Sequence, residues 1–204
     1  MILLDLVNCQ IPQVLYCNEK GTYPQADSIS LKQLKINLKK FDFNLEKLAL
    51  RAGNVIITFN FFQHFYPYFT VAKVNWDDEL KKALSRSYND KTPKDHLITL
   101  QKFTSPLKDG HCSVYCSTIT NYTPPISWEW IENQLVITNL NTANPNLRKG
   151  DVVTQINGIV PEKYFEEVNS RISAGTKGWL NYKANRVSLV GDRGSILKIT
   201  VNDK

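Results

Sequence analysis

The sequence predicts an α+β protein in which a helical N-terminal part is followed by a compact β-rich module with one helix. Two observations support this class. Apolar residues follow helical spacing in the first part, whereas from Pro124 onward they alternate with polar residues as strands do. The double proline Pro124-Pro125, which disfavours helix, separates the two patterns. We therefore divide the chain into residues 1–44, 45–122 and 123–204.

The composition is that of a globular protein and argues against several other classes. Of the 204 residues, 42% are hydrophobic and 22% are charged, which is too apolar for a disordered chain. No run of about eighteen uncharged apolar residues occurs, so no membrane span is predicted. The net charge of +6 attracts acidic partners weakly, but the basic run from Lys32 to Lys40 lacks the aromatic pattern of RNA-binding modules. We expect no nucleic-acid partner.

Residues 1–44 are predicted to contain a short β-rich run, a turn and a helix. The run covers Val14 to Tyr16, the turn lies at Asn18 to Gly21, and an amphipathic helix extends from Asp27 to Lys40. This stretch is too small to fold alone. Because it opens in mid-pattern, we expect an excised fragment that begins with the tail of an upstream domain.

Residues 45–122 are predicted to be mainly helical. Apolar residues cover nearly every face of 45–65, as in a helix enclosed by its neighbours. Capping residues predict two further helices, over 77–88 and 92–107. Seven phenylalanines and tyrosines fall between Phe59 and Phe69, out of 9 of each type in the chain. This density predicts the main aromatic core.

Residues 123–204 alternate in the manner of strands, with one helical interruption. A helix is expected to open at Pro161, to bury one stripe of apolar residues and to stop at Gly175. A hairpin is expected across Glu132-Asn133, and Asn157-Gly158 supplies another turn. The five predicted strands cover 126–131, 135–140, 151–156, 186–190 and 195–201.

The segment Leu147 to Gly158, LRKGDVVTQING, resembles a PDZ domain of the circularly permuted bacterial order. Such modules bind an extended peptide, often a free C-terminus, beside a strand and a helix. The resemblance implies a PDZ-like β-barrel with one groove helix. Trp128 and Trp130 have an alternative interpretation, in which they fill the groove themselves as part of the core. The implied peptide-binding residues are Ile126, Trp128, Trp130, Phe165, Val168 and Ile172.

Three upstream motifs resemble the helical N-terminal part of the tail-specific (C-terminal processing) and tricorn-core serine peptidases. They are the aromatic run 60–69, Asn75-Trp76-Asp77 and the segment 107–111. In that family a catalytic α/β domain with the nucleophilic serine follows the PDZ-like module. The resemblance therefore implies the non-catalytic front portion of a secreted, periplasmic or envelope endopeptidase. Its implied partners are polypeptide substrates, including C-terminal tails, and a downstream catalytic domain.

His111 occupies the family position of the general base in tricorn-type members. An imidazole can accept a serine proton and return it to the leaving amine. Gly110 stands where those members have a serine, and tail-specific members use a lysine of the catalytic domain instead. The alternative is a structural histidine that caps a turn through Asp109 and Gly110. Without the nucleophile, we expect this chain alone to be inactive.

The remaining candidate motifs point to ordinary structural roles. Ser105 and Lys108 fit S-x-x-K, but Pro106 disturbs the helix that such a serine needs. His64 and His96 lack ligands at metal spacing, and the cysteines lack zinc spacing, with Cys112 and Cys116 expected as a buried pair on one strand face. No phosphate loop or dinucleotide fingerprint occurs, so we expect neither a metal nor a cofactor.

Two other functions remain open at this point. The chain could be a pure binding module without catalysis, in which the PDZ-like groove or the aromatic cluster holds a peptide. It could instead be a carrier of a small apolar ligand, which would require a large cavity beside Phe59 to Phe69.

Overall fold

The computed structural model describes residues 2–4, 7–9, 16–23, 27–40, 44, 46–117, 119–141 and 146–202. The chain divides into two compact units, Met1–Tyr66 and Pro67–Lys204. Helices and antiparallel sheets are both present, which confirms the α+β class. The division into three segments stays a prediction. None of the described helices is long and apolar enough to cross a lipid bilayer.

The first unit contains two short antiparallel hairpins and two helices in its described residues. The hairpin turn at Asn18 to Gly21 is confirmed, and Gly21 has a φ of 124°, which favours glycine. Val14 and Leu15 lie outside the described residues. The elements are β1 (Ile2–Leu4), β2 (Val7–Cys9), β3 (Tyr16–Asn18), β4 (Gly21–Tyr23), α1 (Ser28–Lys40) and α2 (Leu48–Phe65).

Asp27 caps the first helix, as its position before α1 predicts. Its carboxylate accepts hydrogen bonds from the backbone N–H groups of Ile29 (3.0 Å) and Ser30 (3.2 Å), and from the Ser30 hydroxyl. These bonds, led by the one from the hydroxyl, lower the pKa of Asp27. The helix therefore starts where its orphan N–H groups find an acceptor.

The apolar helix α2 is not enclosed all round, so this expectation is wrong. Ile57 is 68% exposed and Phe61 is 57% exposed. The rings do contact one another, with the Phe61 centroid 5.3 Å from that of Phe62 and 5.4 Å from that of Phe65. The aromatic run is therefore a local cluster, and the prediction that it forms the main core is also wrong.

The second unit opens with helices α3 (Phe69–Ala72), α4 (Trp76–Asn89) and α5 (Pro93–Thr104), followed by a 3-10 turn, Ser105–Leu107. Thr92 and Asp95 form a capping box at the start of α5, as the Thr-Pro pair predicts. The cap of α4 is Asn75, whereas the sequence offered Asp77 and Asp78 as candidates, so that expectation is wrong. Trp76 and Phe103 stack with centroids 4.3 Å apart, which joins α4 to α5.

A buried polar network holds the corner between α4 and α5. The carboxylate of Asp90 lies 3.0 Å from Nδ1 of His96 and accepts a hydrogen bond of 2.9 Å from the Thr99 hydroxyl. All three residues are buried. His96 is therefore a structural residue. Its carboxylate partner, Asp90, lies just before α5, the helix that carries His96.

A four-stranded antiparallel sheet forms the β-rich module, in the order β5-β6-β7-β8. Glu132 and Asn133 turn between the first two strands with φ values of 48° and 63°, which confirms the predicted hairpin. β5 and β8 are the two edges, so the described residues form no closed barrel. The strands are β5 (Ile126–Ile131), β6 (Gln134–Leu140), β7 (Val152–Ile156) and β8 (Ile199–Asn202).

Two helices accompany the sheet, where the sequence predicted one. The predicted helix is α6 (Pro161–Asn169), and the second is α7 (Lys177–Val187). The strand expected over 186–190 is wrong, because Arg186 and Val187 end α7. Thr176 starts this helix by accepting a hydrogen bond of 3.2 Å from the N–H of Trp179.

The core of this module lies between the sheet and these two helices. Trp128 is 1% exposed, and its Nε1 donates a hydrogen bond of 3.0 Å to the hydroxyl of Ser188, which follows α7. Aromatic rings meet beside it, with Trp130 edge-on to Phe165 at 5.2 Å. The buried members are Trp128, Leu135, Ile137, Val153, Ile156, Phe165, Val168, Ala184 and Leu189.

We expect Trp128→Ala to lower the free energy of unfolding by about 3–5 kcal/mol, because it leaves a cavity and removes the hydrogen bond that the Ser188 hydroxyl accepts. Urea denaturation followed by circular dichroism measures this loss. Tyr115→Ala is the matched control, since Tyr115 is 85% exposed and its loss should change stability by no more than about 0.5 kcal/mol. Equal losses in the two variants would contradict the assigned core.

Candidate functional site

His111 lies in a tight loop that follows the 3-10 turn. Lys108 ends that turn in the left-handed conformation, with a φ of 54°. Asp109 then closes the loop, because its carboxylate accepts the backbone N–H of His111 at 2.9 Å and its carbonyl accepts that of Cys112 at 3.1 Å. The carboxylate of Asp109, and not the imidazole, is therefore the capping group.

The imidazole of His111 is fully exposed. Its Nδ1 lies 3.4 Å from Oδ1 of Asp109. Oδ1 of Asp109 therefore lies near both the backbone N–H and the imidazole of His111. The loop thus places a carboxylate and a histidine two residues apart with their side chains close together, whereas the sequence indicated only a turn here.

Other elements of the second unit fix the position of this loop. The backbone N–H of Asp109 donates a hydrogen bond of 2.8 Å to the hydroxyl of Ser173, a buried residue beyond α6. From α7, Nε1 of Trp179 (3.3 Å) and Nζ of Lys183 (2.9 Å) both donate to the carbonyl of Gly110. The loop is therefore held from two directions.

Gly110 lies in close contact with the indole of Trp179. A Cβ added at position 110 would lie 2.9 Å from Nε1 and 3.0 Å from Cδ1 of that ring. A serine at this position would therefore displace the indole and weaken its hydrogen bond to the loop. Glycine, which has no Cβ, therefore lets the indole reach the carbonyl of the loop.

A cleft of about 360 Å³ opens beside the loop. It is lined by residues of α5, of the segments 112–114 and 171–173, and of α7. Ile172, predicted as a peptide-binding residue, lines this cleft together with Cys112. Burial raises the pKa of the Cys112 thiol, partly offset by a hydrogen bond with Thr104.

The expectation that Cys112 and Cys116 share a strand face is wrong. Residues 112–116 form no strand, although both cysteines are half-buried. Among the residues that the structure describes, no group of three or more His, Cys, Asp or Glu side chains is arranged to hold a metal ion.

Most of the predicted groove residues belong to the core. Trp128, Phe165 and Val168 are buried, and Trp130 packs against them half-buried. The side chains of Trp128, Phe165 and Val168 are therefore closed to a ligand in this structure, and Trp128 fills the core as its alternative interpretation expects. Ile126 lies apart from them and lines a second cleft of about 370 Å³ together with Leu147 and residues of β8.

Helix α7 also changes the surroundings of the predicted groove. It packs against both β5 and α6, the two elements expected to form the groove walls. Ser188 accepts Nε1 of Trp128 through its hydroxyl and the Tyr164 hydroxyl through its carbonyl, at 2.9 Å. Burial raises the pKa of Tyr164, so its hydroxyl remains a donor. A peptide added to β5 would therefore meet α7 as well as α6.

The sequence matches no protein family model and no curated protein. The fold is similar to that of CPAF, a chlamydial serine protease. Crystal structures of a CPAF mutant, of mature CPAF and of mature CPAF complexed with lactacystin superpose with TM-scores of 0.63, 0.60 and 0.59. Each covers 76% of this chain at 13% identity, and this chain spans only 31–34% of the CPAF chains. The likeness to CPAF supports a protease-related fold.

We expect Gly110→Ser to lower the free energy of unfolding by about 1 kcal/mol, because the new side chain displaces Trp179 and disrupts its hydrogen bond. Gly178→Ala is the matched control. A Cβ at Gly178 meets nothing within 4 Å, and alanine there should stabilise α7 by up to about 1 kcal/mol. Thermal or urea unfolding measures both changes. Effects of the same sign would contradict the assigned contact.

We expect Cys112 to react with iodoacetamide roughly tenfold more slowly than the exposed Cys17 at about pH 8. The thiolate is the reacting species, and burial of Cys112 disfavours it. Peptide mapping by mass spectrometry after timed alkylation measures both rates. In urea the difference should disappear. Equal rates in the folded chain would show that the cleft does not bury this thiol.

Proposed function

We propose that this chain is the front part of a tail-specific or tricorn-type serine endopeptidase, in which His111 is the general base. The observation that carries the proposal is the fully exposed imidazole with a carboxylate 3.4 Å from its Nδ1. The fold similarity to CPAF supports the same assignment at the level of the fold. The nucleophilic serine would be supplied by sequence outside these 204 residues.

In the proposed reaction, Nε2 of His111 accepts the proton of the serine hydroxyl as the serine oxygen attacks the scissile carbonyl carbon. The imidazolium that results is stabilised by the carboxylate of Asp109. The same proton then passes to the leaving amine as the carbon–nitrogen bond breaks. Water repeats the cycle on the acyl-enzyme and releases the second product.

The anchored loop suits this role because a catalytic base must be held in place before the substrate arrives. Asp109 is tied to Ser173, and Gly110 is tied to Trp179 and Lys183, so the residues on the N-terminal side of His111 are fixed. The imidazole itself extends outward, where a nucleophile from another part of the protein could reach it.

The sheet module would dock the polypeptide substrate. Its strand β5 is an edge strand, and an extended peptide can add to such an edge through backbone hydrogen bonds. Because α7 packs beside β5, specificity would come from α7 as well as from α6. A secreted, periplasmic or envelope location, and C-terminal tails as substrates, follow from the family and belong to this proposal.

We expect His111→Ala, in the intact protein that contains this chain, to lower kcat for hydrolysis of a fluorogenic polypeptide by about 10²–10⁴-fold. The free energy of unfolding should stay within about 0.5 kcal/mol, since the side chain is fully exposed. Asp109→Asn should reduce kcat less strongly. Lys81→Ala, an exposed change on α4, is the control and should leave turnover unchanged.

The isolated chain should not hydrolyse peptides. Unchanged turnover in His111→Ala would remove this residue from the mechanism and favour a peptide-binding module without catalysis. Hydrolysis by the isolated chain, abolished by a serine-directed reagent, would place the nucleophile within these residues and contradict the proposed division.

A further inference from the structure

Helix α7 carries a repeated pattern of an aromatic residue followed four positions later by a cation. Trp179 precedes Lys183, and Tyr182 precedes Arg186. Residues four apart share one face of a helix, so the pattern aligns two rings with two cations. The helix also carries Lys177 and has no acidic residue. Its face is therefore cationic and aromatic.

In the structure these four side chains contact one another, and we call them the ladder: Trp179, Tyr182, Lys183 and Arg186. The rings of Trp179 and Tyr182 stack with centroids 5.2 Å apart and planes 18° apart. Nζ of Lys183 lies 5.4 Å from the Trp179 centroid, and Cζ of Arg186 lies 4.4 Å from the Tyr182 centroid. Such contacts hold each cation over a ring. Both rings are exposed by more than 40%, so they are not core residues.

The ladder forms one side of the cleft of about 360 Å³ beside the His111 loop. Three cationic residues line this cleft, namely Arg171, Lys183 and Arg186, and none of its described lining residues is acidic. The charge of Arg171 is partly neutralised by Glu167, since its Nε lies 3.7 Å from Oε1 of that carboxylate. Arg186 has no carboxylate partner among the described residues. The cleft therefore has an uncompensated positive charge.

We infer that this cleft binds an acidic residue of an extended polypeptide. A carboxylate complements the fork of Arg186 and the ammonium of Lys183, and the flat rings offer apolar contact to the neighbouring residue of the peptide. Lys183 also binds the carbonyl of Gly110, so a peptide held here lies next to the loop of His111. The inference rests on the proposed function and adds to it a preference for substrates with acidic residues near the scissile bond.

A nucleic acid fits these observations less well. Proteins that bind single strands use long basic grooves with site sizes of about 4–16 nucleotides. Here the cations converge on one cleft of about 360 Å³, a size that suits one or two side chains of a peptide.

The test is fluorescence anisotropy with labelled hexaglutamate as the probe and labelled hexaglutamine as its neutral counterpart, on the purified 204-residue chain. Hexaglutamate should bind, and hexaglutamine should bind at least about tenfold more weakly. Arg186→Gln should weaken hexaglutamate binding by about tenfold, since it removes a charge-assisted contact. Arg148→Gln is the control, because Arg148 is exposed and lies outside the cleft.

Absence of hexaglutamate binding would overturn the inference, as would equal weakening by Arg186→Gln and Arg148→Gln, which would indicate attraction by net charge alone. Tighter binding of a labelled hexathymidylate with the same dependence on Arg186 would assign the cleft to nucleic acid and overturn it too. Binding requires no turnover. If His111→Ala contradicts the catalytic proposal, that result can therefore be distinguished from a failure of hexaglutamate to bind.

Discussion

The packing of helix α7 is the interaction on which the rest of the second unit depends. At its C-terminal end, Ser188 joins the helix to β5 through Trp128 and to α6 through Tyr164. On its outer face, Trp179 and Lys183 hold the carbonyl of Gly110. One helix therefore completes the core and also fixes the loop that carries His111.

These two functions require different environments along the same eleven residues. Ala184 is buried in the core, where its small side chain lets α7 approach the sheet closely. Trp179 and Tyr182 stay half-exposed and support cations that a core could not accommodate without paired charges. The two faces of the helix therefore differ more in charge than in hydropathy, because aromatic residues also lie on its outer face.

The sequence could predict some elements of this fold and not others. Elements with clear end signals were found, as with the capping box of Thr92 and the Glu132-Asn133 hairpin. Helix α7 was missed because its apolar residues follow no single stripe, and the alternation around Val187 to Val190 favoured a strand. The aromatic run in α2 was mistaken for the main core because ring density does not determine burial, which depends on what packs against the helix. His111 stays a candidate that rests on resemblance, and the approach of the Asp109 carboxylate to its ring became evident only from the loop geometry.

The contact between Gly110 and Trp179 connects this architecture to the chemistry proposed for the loop. A side chain at position 110 could help to orient a neighbouring histidine, but here the indole occupies the space that a Cβ would need. Glycine at position 110 thus allows the indole to attach the loop to α7. Asp109 closes the turn through the backbone N–H of His111 and brings its Oδ1 to 3.4 Å from Nδ1, so in the proposed mechanism it is the group that would orient the imidazole.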